Sequence, residues 1–277
     1  MKNDIKKLFL ESPYLSTKHS TYFYAYEKIF SRFVDKKITF VEVGILNGGS
    51  LFMWRKYFGN KARIIGIDNN PKAKMWEKYG FEIFIGDQGD KKFWDEFKKK
   101  VGHIDILLDD GGHTDIQQAT TLFCCADNIK NGGVLVVEDT HASYLKEFGN
   151  PSKFSFINLT YRLVDLLNFR SGAFEESIKS LSLPVSEIRY FESIVAFEIN
   201  RDYAKKSFQV NNAGKDMNAK DYRYKNTYRE KVDETYRSFK FLSEIPFLGW
   251  LLKFFMTTIA RKILYRYALQ KENKKIF

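Results

Sequence analysis

The chain has 277 residues, of which 44% are hydrophobic and 17% aromatic, enough to fill a core and too much for global disorder. The formal net charge is +11, concentrated at the C-terminal end, where residues 211–277 hold 15 Lys/Arg against 7 Asp/Glu, and it points to an anionic partner. No apolar run reaches the ~18–20 residues of a spanning helix. The N-terminal decapeptide lacks the apolar centre of a secretory signal. Adjacent Cys124 and Cys125 supply neither a disulfide framework nor a CxxC metal spacing, so a reducing, cytoplasmic location is expected.

Residues 1–17 read as a poorly ordered lead-in, and Lys18–Phe33 as an aromatic helix whose tyrosines pack against a sheet. From Ile38 the pattern alternates. Strands are expected at Ile38–Val43, Ala62–Asp68, Phe81–Gly86, Ile104–Asp109 and Val134–Val137. Helices are expected from Gly48, over Pro71–Tyr79 and Lys91–Lys100, and over about 116–128. Strands separated by helices of this length imply right-handed crossovers and a parallel sheet covered on both faces. After a further helix, Glu187–Ile199 reads as two strands joined by a turn so short that they must be antiparallel. The expected fold is therefore α/β: a Rossmann-like, doubly wound, mainly parallel seven-stranded sheet ending in an antiparallel hairpin, with helical extensions at both ends. The expected division is an N-terminal helical segment over 1–36, the α/β domain over 37–205 and a basic, aromatic helical extension over 206–277.

In such sheets ligands sit beyond the carboxyl ends of the strands. There the sequence concentrates its chemistry. Val41–Ser50 joins a strand to a helix through Gly44, Gly48 and Gly49, letting backbone approach a ligand next to free N–H groups and Ser50. It is neither a GxGxxG fingerprint nor a P-loop. Glu42 would repel a pyrophosphate and suits an ammonium or sulfonium centre. Asp68 closes the second strand and can accept ribose hydroxyls; Asp87 and Gln88 close the third and can read an adenine edge. Two further apolar runs stop at carboxylates and a histidine: Asp109, Asp110 and His113, then Glu138, Asp139 and His141. Together these make a hard-cation and general-base site.

These residues resemble the class I S-adenosylmethionine-dependent methyltransferases over roughly residues 15–200. Within that class Gly86–Gln88, Leu107–Thr114 and Val137–Thr140 look most like the metal-dependent macrolide and sugar O-methyltransferases and their cephalosporin hydroxylase-like relatives. Gly112 replaces the serine of the usual Asp-Asp-Gly-Ser-His. The resemblance implies S-adenosylmethionine held by Glu42, Gly44, Gly48, Ser50, Asp68, Asp87, Gln88 and Asp109. It implies Mg²⁺ or another divalent cation on Asp110 and Asp139, with Glu138 as a further ligand. Asp110 and His113 are then the catalytic pair, with His113 as general base. The acceptor it implies is a small molecule or glycan. His19 and His141 receive no fixed role, and His103 is expected at the surface.

Residues 245–269, with Trp250, Phe254 and Phe255 beside Lys253, Arg261, Lys262 and Arg266, have the composition of an interfacial helix at a membrane. A helix packed on the domain or on a second subunit is the favoured alternative, and a homo-oligomer is compatible with aromatic helices at both ends. No nucleic-acid recognition module is present. The rivals are a hydroxylase-like enzyme on the same fold and a non-catalytic membrane or complex scaffold using the tail.

Overall fold

A computed structural model describes residues 4–173, 182–215, 217–219, 221–238, 241, 245–255, 259 and 263–274. They form two compact units, 1–210 and 211–277.

The first unit is built on a seven-stranded sheet of order β3-β2-β1-β4-β5-β7-β6. Its strands are β1 (Thr39–Val43), β2 (Arg63–Asp68), β3 (Glu82–Ile85), β4 (Ile104–Asp109), β5 (Ile129–Val137), β6 (Val185–Phe191) and β7 (Ile194–Ile199). β1 to β5 are mutually parallel, and β7 runs antiparallel to both β5 and β6. The central strands are buried on both faces, which is why they read as continuous apolar runs.

Side-chain alternation divides the core into two layers. Phe40, Ile106, Leu108, Val134 and Val136 share one layer with Tyr22, Tyr26 and Phe30 of α2 (Tyr22–Phe30) and with Trp54 and Phe58 of α3 (Gly49–Phe58). Val41, Val43, Leu107, Leu135 and Val137 share the other. That layer includes Trp94 and Phe97 of α4 (Lys91–Val101), Leu122 of α5 (Asp115–Cys125) and Phe156 of α6 (Phe156–Asn168). Fully burying one of these aromatic side chains contributes about 1.5–3 kcal/mol.

The helix starts are fixed locally. Asp90 accepts from Lys92 N at 2.9 Å at the head of α4. Thr114 and Gln117 form a capping box at the head of α5, satisfying backbone donors that a helix leaves free. Pro71–Tyr79, predicted as a helix, is a run of 3₁₀ turns entered through an Asn70 cap.

The N-terminal lead-in differs from expectation. Residues Ile5–Leu10 form α1, capped by Asp4, with Ile5 buried. Phe9 packs on Phe23, and Ser12 Oγ donates to the Gly49 carbonyl at 2.7 Å. The aromatic content of the segment that follows gives it a core to join, which composition of the lead-in alone did not reveal.

The second unit contains α7 (Tyr228–Ser238), α8 (Pro246–Phe254) and α9 (Tyr265–Asn273). α7 and α9 are tied by Arg229, whose guanidinium lies 4.4 Å from the Tyr265 ring centre, and by a hydrogen bond from the Tyr265 hydroxyl to Asp233. Arg261 and Lys262, singled out in the sequence, lie outside the described residues. Among the described residues no helix is long and apolar enough to cross a membrane.

Candidate active site

The parallel ladder runs one residue past each central strand. Gly44 N donates to Ile67 O at 2.8 Å, Gly86 N to Asp68 O at 3.0 Å, Asp110 N to Val43 O at 3.0 Å and Glu138 N to Asp109 O at 2.9 Å. This brings the acidic strand ends to one edge, where they border a cavity of about 470 Å³, within the usual range for small-molecule sites.

One half of the cavity is glycine-lined backbone. Gly44 has φ +82°, and a Cβ there would lie 2.1 Å from the Asp110 carbonyl oxygen, so β1 and β4 approach too closely for any side chain. Gly48 has φ +72°, and a Cβ would lie 2.4 Å from the Trp76 ring. Asp68 reaches this half, but its Oδ2 accepts from Ile45 N at 3.2 Å and Leu46 N at 3.0 Å, and its Oδ1 from Asn70 N at 2.9 Å. It therefore fastens the loop after β1 to the end of β2, keeping the lone-pair capacity of a carboxylate that accepts more than one bond per oxygen. Asp87 borders the same half and is exposed.

Four of the predicted cofactor residues are committed to other partners. Glu42 is fully buried behind the cavity, accepting from Ser50 Oγ at 2.7 Å and Trp54 Nε1 at 3.0 Å. Ser50 borders the cavity but spends its hydroxyl on Glu42. Burial pushes the Glu42 carboxyl up to about 7 against the pull of the Lys18 ammonium. Gln88 also borders the cavity, yet its amide donates to both Asp109 oxygens (2.8 and 3.0 Å) and accepts from Gly112 N at 2.8 Å. Asp109 is itself buried, on the layer of α4 and α5, away from the cavity.

Strand parity explains this sorting. Asp109 lies two residues after Leu107 and shares its face, whereas Glu138 and Glu42 follow Val136 and Phe40 onto the α2–α3 face. The other half of the cavity holds Asp110, His113 and Asp139, whose ligand atoms all lie within 4.8 Å of one another. His113 Nε2 is 3.2 Å from Asp139 Oδ2, and both residues have positive φ, +57° and +52°. With Nε2 turned to Asp139, His113 Nδ1 is enclosed and has no hydrogen-bond partner among the described residues.

The sequence did not reveal Lys18. Its side chain is 1% exposed, and its ammonium bridges Asp110 and Glu138, the latter at 2.7 Å from Oε2. Burial would lower the Lys18 pKa, but the charges of Asp110 and Glu138 outweigh it and hold the ammonium protonated. The Tyr26 hydroxyl donates to Glu138 and that of Tyr22 to Asp139, so tyrosines read as packing also organise the carboxylates. Nothing in the local pattern distinguishes Lys18 from a surface lysine; its partners lie 92 and 120 residues away. His103 is exposed, with Nδ1 3.2 Å from Asn128 O, and Cys124 and Cys125 are free.

The donor set fits a hard divalent cation: two partly exposed carboxylates beside an imidazole, facing a cavity with open positions. Glu138 joins that set only by releasing Lys18. The glycine-lined half fits an elongated polar ligand held largely by backbone and by Asp68 and Asp87.

Comparison with known proteins supports the fold. No protein-family profile matches the chain. It is 33% identical over 135 residues to the 8-demethyl-8-alpha-L-rhamnosyl tetracenomycin-C 2'-O-methyltransferase of Streptomyces olivaceus, covering 46% of this chain and 35% of that protein. It is 28% identical over 131 residues to the mycinamicin VI 2''-O-methyltransferase of Micromonospora griseorubida, covering 45% and 32%. The chain thus spans about a third of the length of these curated relatives. Among solved structures it is similar to the MycE methyltransferase of the mycinamycin pathway in complex with Mg, SAH and mycinamycin VI. That likeness has a TM-score of 0.64 and 23% identity, and covers 73% of this chain and 54% of that one. The fold is the Rossmann-like methyltransferase fold, and the chain is similar to macrolide and sugar O-methyltransferases.

Proposed function

We propose that this protein is an S-adenosylmethionine-dependent O-methyltransferase, assisted by Mg²⁺ or another divalent cation, that acts on a hydroxyl of a sugar in a glycan, a nucleotide-linked sugar or a similar small polar molecule. The observation that carries the reading is the convergence of Asp110, His113 and Asp139 beside a glycine-lined cavity. The named activities of the relatives, and the Mg and SAH in the MycE structures, support it over a hydroxylase-like enzyme or a scaffold.

In this reading Gly44, Gly48, Asp68 and Asp87 bind the cofactor, and Asp110 and Asp139 hold the cation, with Glu138 as a further ligand. When bound, the cofactor supplies an electrophilic methyl group and the cation lowers the pKa of the acceptor hydroxyl. His113 takes the hydroxyl proton at Nε2, the nitrogen beside Asp139, because its Nδ1 is enclosed. Glu42, Gln88 and Asp109 act one layer back, fixing the loops that shape the cavity. Holding both reactants together supplies much of the rate. The free thiols of Cys124 and Cys125 fit a cytoplasmic setting.

The second unit supports a more limited proposal, peripheral contact with an anionic membrane. Phe247, Trp250 and Phe254 of α8 are exposed, in a segment of the chain with excess positive charge.

The deciding experiment is isothermal titration of S-adenosylmethionine into the full chain, with Mg²⁺ and with EDTA, followed by a mass screen of sugar acceptors for a gain of one methyl. Binding together with a methylated product lost in His113→Gln is expected. Absence of cofactor binding in both conditions would overturn the reading.

A further inference from the structure

Asp139 faces a second group of ligand atoms, on the side away from His113. Its Oδ1 lies 3.9 Å from His19 Nε2 and 3.8 Å from His141 Nδ1, and the three ligand atoms all fall within 4.8 Å of one another. His19 precedes α2, and His141 sits in the 3₁₀ turn Thr140–Tyr144 after β5, so two separate parts of the chain meet here. The two imidazoles meet edge to face, with centres 5.3 Å apart.

These separations are too long for hydrogen bonds. They are close to the edges of a coordination polyhedron: metal–ligand bonds of ~2.0–2.1 Å at a tetrahedral angle put ligand atoms about 3.3 Å apart. His141 Nδ1 is enclosed and has no hydrogen-bond partner among the described residues. A buried polar nitrogen left unpaired calls for an explanation, and an absent ion is one. Asp139 itself is held at φ +52°, a conformation that costs a non-glycine residue energy. Its two oxygens point to different neighbours, Oδ2 to His113 and Oδ1 to His19 and His141.

We propose that His19, Asp139 and His141 form a second metal site, selective for a borderline transition ion such as Zn²⁺ or Co²⁺. Two imidazoles and one carboxylate suit such ions and not Mg²⁺ or Ca²⁺, which take oxygen ligands. The site is distinct from the oxygen-rich set around Asp110, and Asp139 offers one oxygen to each. The Tyr22 hydroxyl, which donates to Asp139 Oδ1, shares or yields that oxygen when the ion binds. An ion there ties the segment before α2 to the turn after β5, across the mouth of the cavity that His19 and Asp139 both border. The proposal does not depend on the nature of the acceptor or on cofactor binding.

The test is titration of Co²⁺ into tag-free, full-length protein in excess Mg²⁺, followed by the visible absorption of bound Co²⁺. The wild type is expected to bind one Co²⁺ that Mg²⁺ does not displace. His19→Ala and His141→Ala should each weaken binding by more than about tenfold, since losing a ligand exceeds the effect of losing an outer-shell partner. Asp110→Asn should retain it. His19 is largely exposed, so His19→Ala isolates ligation from folding, and circular dichroism checks His141→Ala. Wild-type Co²⁺ affinity in both histidine variants, or loss of the signal in Asp110→Asn with retention in His19→Ala, would overturn the proposal. Neither outcome bears on the S-adenosylmethionine titration above.

Discussion

Replacing Lys18 by methionine keeps most of the side-chain stem and deletes the ammonium. The Lys18 side chain is 1% exposed and Glu138 fully buried, so the substitution leaves Glu138 facing Asp110 with no counter-charge. Removing one partner of a buried ion pair costs about 3–5 kcal/mol, mostly as the penalty of the charge left behind. For a unit of this size each kcal/mol moves the melting temperature by about 2–4 °C, so a drop of about 6–20 °C is expected in EDTA at neutral pH. Two conditions should narrow the gap. Lower pH allows the stranded carboxylates to take up protons, and Mg²⁺ supplies the missing positive charge at the same carboxylates. Thermal melts of wild type, Lys18→Met and Lys18→Arg in EDTA and in Mg²⁺ read all of this. A Lys18→Met protein that melts with the wild type in EDTA would refute the buried bridge. One that Mg²⁺ does not rescue would refute the idea that the ammonium and a divalent cation address the same carboxylates.

The remaining expectations concern the cavity wall and the tail. The Glu42 carboxyl sits at about 7 against an ordinary value of 4.5, so between those pH values the native state binds more protons than the unfolded chain. Stability therefore falls as pH rises through that window, by about 3 kcal/mol in all. Glu42→Gln, which can still accept from Trp54 and turn the Ser50 hydroxyl round, should flatten that slope in urea titrations at pH 5 and 8; an unchanged slope would rule Glu42 out as its source. Gly44→Ala should lose about 1–2 kcal/mol from the left-handed backbone alone, with a further loss from the contact with Asp110, and should weaken S-adenosylmethionine. Gly80→Ala, at φ +80° with nothing within 4 Å, should show the backbone cost without the second effect, and equal losses at the two positions would remove the argument for close approach. Full-length Trp250→Ala/Phe254→Ala should co-sediment less with anionic vesicles than the wild type; equal pelleting would sink the membrane proposal.

Much of the architecture was legible because its causes are local and periodic. β1, β2, β4 and β5 are apolar runs closed by acids, and the short turn after Phe191 forces an antiparallel pair. The grouping of Asp110, His113 and Asp139 followed from placing those strand ends together. What was misplaced turns on side-chain parity. Glu42 and Asp109 end their strands like Asp68, yet one residue of register sends Asp109 to the Gln88 side and Glu42 to Trp54. Parity was available in the sequence, as the alternation of Leu107, Asp109 and Phe40, Glu42, but assigning the layers required knowing which helices cover which face. Lys18 was beyond reach for another reason: a buried lysine is defined by its distant partners, not by its neighbours in sequence.

The contacts that complete the carboxylate cluster also set an order of events. Lys18, Tyr22 and Tyr26 leave the ribosome more than a hundred residues ahead of Asp139 and Glu138, their partners 112 to 120 positions later. Loops of that length close slowly, and only after β4 and β5 have paired. The amino-terminal segment must wait, with its tyrosines unshielded, until the middle of the chain has arrived and folded. The cluster is therefore among the last parts of the unit to form, and a polypeptide stalled before residue 138 would carry Lys18 with Asp110 but without Glu138, and Tyr22 and Tyr26 without the carboxylates that accept their hydroxyls.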